Sequence, residues 1–341
     1  MRDTDTILTA DSGQRTWYPE MNILRGILVI LVVVGHVTLQ ADTGNVSLKI
    51  CLDAIGNTIY SFHMPAFFTV SGFCAIKSIG RVDKGKYIKS RCLALMVPYL
   101  VMSVVYIPFR LSLSFISRTS YNITDAWKIL VGDSPDGALW FLYALFIISA
   151  VVCLLVSLKN AKLVLGIVIV LYIISSFAKW PFGIIGKLFG CFPFYLMGLI
   201  LRKDYQKYKS IICSKSSILV CTLGFIIGNV VLQVLQIEVI RFIPSLTGFC
   251  LLLNVAAFIT NRRGCVYQIF DCIGNYGMDI YMLSEPCKVI VRTMLKFLPD
   301  ALAVLATICS TIVISMLISK LFIRKNRILS MLILGKQIEC S

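Results

Sequence analysis

The chain carries two histidines, and both fall in apolar runs. His36 closes the run Asn22-Ile-Leu-Arg-Gly-Ile-Leu-Val-Ile-Leu-Val-Val-Val-Gly-His. On a helix, Arg25 and His36 share one face about 16 Å apart, because eleven residues make nearly a whole number of turns. An ionisable side chain inside an apolar helix is costly to place and marks a functional site by default. Imidazole changes charge near neutral pH, so His36 reads as a general base or a proton relay. The plainer alternative is a helix-packing histidine bonded to a neighbour. Arg25 admits two readings as well. It is a topology-setting charge whose stem lies along apolar surface, or a binder for an anionic ligand such as a nucleotide phosphate.

His63 belongs to Ser61-Phe-His-Met-Pro-Ala-Phe-Phe-Thr-Val-Ser-Gly-Phe. Pro65 is expected to kink this segment, and Gly72 permits close helix packing. Further along, Glu285, Arg292 and Lys296 fall on nearly one helical face, with Lys288 beside it. That stripe reads as an internal ion pair or as a contact for a hydroxyl-rich or acidic acceptor.

The elements that must position these groups are membrane spans. Of 341 residues, 58% are hydrophobic and 15% charged, and the mean hydropathy is +0.85. Apolar runs long enough to cross a bilayer recur along the chain. The expected fold class is all-α: a polytopic membrane protein with about ten transmembrane helices. Their expected ranges are 21–39, 58–79, 93–115, 138–158, 163–178, 188–201, 216–235, 242–259, 273–297 and 301–323. Around them the expected domains are a polar cytoplasmic tail (1–20), one membrane-embedded domain (21–323) and a basic cytoplasmic tail (324–341).

Basic residues collect in alternate loops. Arg81, Lys84, Lys86, Lys89 and Arg91 form one group, Lys159 and Lys162 a second, Arg202, Lys203, Lys207, Lys209 and Lys215 a third, and Arg262 and Arg263 a fourth. Arg324, Lys325, Arg327 and Lys336 follow the last span. The other loops hold few basic residues, Arg118 among them. The asymmetry puts both termini in the cytoplasm of a cell (plasma or inner) membrane. It also accounts for the net charge of +16 without a nucleic-acid partner. Thirteen cysteines are scattered without a Cys-x-x-Cys pair, so neither a metal site nor a disulfide framework is expected.

Taken together, Arg25-x10-His36 and Phe62-His-Met-Pro-Ala-Phe-Phe-x-x-Ser-Gly-Phe resemble the membrane-bound acyltransferase type 3 family. The wording is similar to the branch of fucose 4-O-acetylases and related sugar O-acetyltransferases. Arg91 before Val97-Pro-Tyr, Leu139-Trp-Phe-Leu, and Ile273-Gly-Asn-Tyr-Gly-Met-Asp-Ile-Tyr-Met-Leu extend the likeness over nearly the whole chain. Asn22, Ala94 and Ser284 depart from the family pattern.

The resemblance implies an acyl-CoA donor, usually acetyl-CoA, on the cytoplasmic side, and no permanently bound cofactor. It implies a sugar hydroxyl as acceptor, on a surface glycan or a lipid-linked saccharide. In that scheme Arg25 and Arg91 hold the phosphates of coenzyme A. His36 takes the proton of the attacking hydroxyl, and His63 assists. Trp140 and Phe141 stack on a sugar ring, and Glu285 contacts the acceptor. The rival class is a secondary transporter with an Arg25/His36 proton relay. Transporters commonly show internal repeats and paired broken helices, which the sequence does not display.

Overall fold

The structure is a computed structural model that describes residues 18–76, 79, 82–112, 122–155 and 160–335. Most of the polar amino-terminal tail lies outside these residues, as do Arg81, Arg118, Lys159 and Lys336.

Helix α1 runs from Pro19 to Leu39. Proline suits a first turn, because its missing N–H would have no partner there. None of the following Ile, Leu and Val residues is fully exposed and most are buried, and α1 packs against α2, α3, α11, α12, α13 and α14, so it is the central helix of the bundle. After α2 (Val46–Tyr60) and α3 (His63–Ala75) the chain bends back. Helix α4 (Lys84–Arg91) continues through a π-type turn at Cys92–Met96 into α5 (Val97–Ser112). The described part of the next loop makes a short 3-10 turn at Ile123–Val131 and leads into α6 (Trp140–Leu155). Next come α7 (Ala161–Phe177), α8 (Gly183–Lys203), α9 (Tyr205–Ile212), α10 (Lys215–Leu235) and α11 (Phe242–Arg262). The chain ends with α12 (Cys265–Asn275), α13 (Gly277–Met294), α14 (Asp300–Ile318) and α15 (Arg327–Leu334).

Among the described residues, six helical segments are long and apolar enough to cross a membrane: 19–39, 84–111, 183–203, 215–235, 238–262 and 300–323. Helices α6 and α7 are apolar but shorter. The remaining two expected spans are each divided. What was expected as a Pro65 kink is a break three to four residues earlier, where Phe62 (φ −140°, ψ −23°) separates α2 from α3. Pro65 thus falls in the first turn of α3, where a missing N–H costs little. The Ser61 carbonyl freed by the break accepts a bond from the Ser245 hydroxyl at 2.8 Å. Likewise the expected span 273–297 starts as α13 only after Tyr276, and α12 packs separately against α1.

The surface and the interior are arranged as a lipid environment requires. Helix α10 turns Leu219, Val220, Leu223, Ile226, Val230 and Val234 outward. Helix α14 exposes Leu302, Leu305, Val313 and Leu317 and buries Thr307, Thr311 and Ser315, with Ser319 buried just beyond its end. Small polar residues at this spacing are a frequent helix contact in membranes, where apolar faces gain nothing by leaving lipid.

Two close crossings fix the bundle. A Cβ on Gly72 would run into the Tyr195 backbone carbonyl, and one on Gly198 into that of Thr69. Helices α3 and α8 therefore touch backbone to backbone. The second crossing joins α1 to α12, where Gly26 faces the Phe270 carbonyl and Gly274 faces Asn22. There the Asn22 amide donates to the Asp271 carboxylate at 2.8 Å.

Candidate active site

The beginning of α1 and the end of α3 share one end of the bundle. Tyr18 meets Phe73 edge-to-face at 5.3 Å, and the Arg202 guanidinium lies 3.8 Å from the Tyr18 ring centre. Arg25 is exposed in the second turn of α1 at that end. Arg91 follows on α4, where its Nε donates to the Tyr87 hydroxyl at 3.2 Å. Both arginines proposed from sequence therefore belong to the basic end.

His36 stands toward the other end of α1. Its side chain keeps 21% exposure, yet Nδ1 is buried with no hydrogen-bond partner among the described residues. Nδ1 faces Glu285 Oε2 at 3.8 Å, an ion-pair distance too long for a hydrogen bond. The edge of the ring that carries Nε2 is left on the cavity side. Tyr60 comes next, 5.9 Å from the His36 ring centre and 4.8 Å from that of His63. His63 is 2% exposed, and its Nδ1 meets the Ile59 carbonyl at 2.8 Å. A carbonyl only accepts, so Nδ1 carries the proton and Nε2 is left with a lone pair. The break between α2 and α3 thus positions Tyr60 and His63 around one corner.

These three rings form the floor of a cavity of about 560 Å³. Its walls include Trp140, Trp180, Lys187, Arg241, Ser245 and Tyr281. Phe141, the neighbour of Trp140, is not in the wall. It is buried against Phe67, Phe68 and Tyr281 and serves packing.

Glu285 is also outside the cavity wall, 6% exposed and behind His36. Lys288 pairs with it, and Arg110 Nη2 lies 3.6 Å from Oε1. Lys288 also donates to Gln40 Oε1 at 2.8 Å, and Arg292 donates to the Gln40 carbonyl at 2.7 Å. A buried carboxylate needs such partners, since an isolated one would be expensive to desolvate. Lys296, the last member of the expected stripe, is exposed.

Asp136 adds a second acid from the loop between α5 and α6. It is 7% exposed, and Arg110 donates to its backbone carbonyl at 3.5 Å. Burial, reinforced by the charge of Glu285, pushes its carboxyl up to about 7. Tyr281 donates to the Ala138 carbonyl and ties this loop to α13.

Sequence reasoning had passed over Arg110, Tyr60, Lys187 and Arg241. Arg110 did leave a signal, as a charged residue within an apolar run beside Pro108. The cavity role of the other three depends on tertiary contacts. Among the described residues, no group of three His, Cys, Asp or Glu side chains is placed to hold a metal ion.

The comparisons with known proteins agree with this architecture. The chain belongs to the type 3 acyltransferase family, whose acyltransferase domain matches residues 18–320, and it is a multi-pass membrane protein of that class. Among curated relatives it is similar to the nodulation protein NolL of Mesorhizobium japonicum, 26% identical over 52% of this chain and 46% of the relative. NolL of Sinorhizobium fredii is 26% identical over 58% of this chain and 52% of the relative. The chain thus spans about half the length of the curated relatives it matches. No solved structure matches it.

Proposed function

We propose that the protein is an O-acyltransferase that moves an acyl group, acetyl in the first instance, from acyl-CoA to a sugar hydroxyl. The acceptor is a cell-surface glycan or its lipid-linked precursor. The observation that carries this reading is His36 at the cavity floor, with Nδ1 turned to Glu285 and its other edge turned to the cavity.

Donor phosphates meet Arg25 and Arg91 at the basic end, which is the cytoplasmic side in this reading. The acyl arm of the donor extends along α1 toward His36. The acceptor enters the cavity from the opposite end, its ring against Trp140. His36 Nε2 takes the hydroxyl proton as the oxygen attacks the thioester carbonyl. A C–O bond forms, the C–S bond breaks, and the proton passes to the departing sulfur. The products are an ester and free coenzyme A. Glu285 favours the imidazolium that forms in between, and the His63 Nε2 lone pair orients the hydroxyl.

The test is transfer of labelled acetyl from acetyl-CoA to a sugar acceptor by purified protein in liposomes. His36→Gln should lower turnover by about 10²–10⁴-fold, the usual contribution of a general base. Glutamine retains a hydrogen bond but cannot take the proton. A well-folded His36→Gln protein with near-normal transfer would remove His36 from this role.

A further inference from the structure

The cavity walls hold charge that the transfer step does not use. Lys187 projects from α8 and Arg241 from the short turn before α11, two separate elements. Both line the same cavity as His63 and Cys191. The two cations therefore share the cavity whose floor carries His36 and His63.

Neither cation is fully satisfied. The Lys187 ammonium lies 4.8 Å from the centre of the Trp140 ring. Among the described residues no carboxylate stands within ion-pair distance of it, and Asp133 acts on it only from farther away. Arg241 Nη2 donates to Glu238 Oε1 at 3.0 Å. Its Nε is buried without a partner among the described residues. Glu238 is the one carboxylate among the described lining residues, so with neutral imidazoles these residues carry net positive charge.

A lysine over an indole and a guanidinium with an unused donor, both lining one cavity, suit an anion rather than a neutral hydroxyl array. We propose that Lys187 and Arg241 bind an anionic group, phosphate or carboxylate, carried by the acceptor, which is then an acidic saccharide or a sugar phosphate. This rests on the acyltransfer reading for the word acceptor. The anion site itself is testable without donor or turnover, so a failure of either reading leaves the other standing.

Two of the four tryptophans, Trp140 and Trp180, line the cavity, so tryptophan fluorescence of the purified full-length protein reports on it. The titrants are glucose, glucuronate, glucose 1-phosphate and inorganic phosphate. At least one anionic sugar should bind about tenfold tighter than glucose, the scale of one charge-assisted hydrogen bond. Which of the two binds tighter tells carboxylate from phosphate. The preference should vanish in the Lys187→Gln/Arg241→Gln double variant and persist in Lys187→Arg, which keeps the charge and controls for folding. Glucose matching both anionic sugars, in affinity or in lack of response, overturns the proposal. So does an unchanged preference in the double variant. Inorganic phosphate binding as tightly as the better anionic sugar also overturns it, because the site would then read an ion and not an acceptor.

Discussion

Glu285 Oε2 lies 3.8 Å from Nδ1 of His36, on the side of the imidazole away from the cavity. The carboxylate is held by Lys288 and Arg110, so its charge is fixed in place before substrate arrives. A preorganised anion behind an imidazole favours the protonated ring during proton transfer and costs no reorganisation at that moment. Glu285→Gln should therefore lower kcat by at least about tenfold, the low side of what a positioned acid–base pair contributes. The donor KM should stay near the wild-type value. Steady-state kinetics on protein with an unchanged melting temperature check this split.

Donor binding is predicted to depend on the shape of the charge at residue 25. Arg25→Ala should weaken coenzyme A binding more than Arg25→Lys, because lysine keeps the charge but loses the planar fork that fits phosphate. Calorimetric titration with coenzyme A measures both. Equal affinity in wild type and Arg25→Ala would exclude Arg25 from the donor site.

Stability should be sensitive at one glycine and indifferent at another. A methyl group on Gly198 meets the Thr69 carbonyl, and forced overpacking typically costs about 1–3 kcal/mol. Gly166 has open space around its Cβ position, and alanine there gains up to about 1 kcal/mol of helix propensity. Thermal unfolding in detergent should show Gly198→Ala melting well below wild type and Gly166→Ala at or above it.

Asp136 predicts a pH signature. Burial raises its carboxyl from 3.8 to about 7, so the folded protein holds a proton that the unfolded chain has released. The associated stability is fully present below about pH 4 and is lost as pH rises toward 7. Asp136→Asn has no proton to lose. The melting temperature of wild type relative to Asp136→Asn should fall across that window and level off above it. A difference independent of pH would contradict the buried, protonated state.

Much of this was legible in the sequence because membranes impose a simple code. The Arg25 and His36 spacing, the apolar runs and the basic loops follow from local rules of helix period and desolvation. Lys179-Trp-Pro lies between two helices, α7 and α8. What local rules did not reveal was pairing across the bundle. Pro65 drew attention as a helix breaker, but the break depends on Ser245 of α11 satisfying the Ser61 carbonyl. Trp140 and Phe141 are neighbours of similar chemistry, and helix rotation alone sends one to the cavity and the other to the core. Glu285 was visible as a charge in span nine, but its place behind His36 comes from the packing of α13 on α1.

The glycine crossing of α3 and α8 has a geometric corollary. His63 lies nine residues before Gly72 and Lys187 eleven before Gly198, or about 14 and 16 Å along their helices toward the same end of the bundle. With the backbones in contact at the crossing, the two helices open from a common pivot like the legs of a set compass. The span from imidazole to ammonium is then fixed by the scaffold and not by loops. In the proposed site this makes the protein a gauge: it would select acceptors by how far the anion stands from the hydroxyl to be esterified.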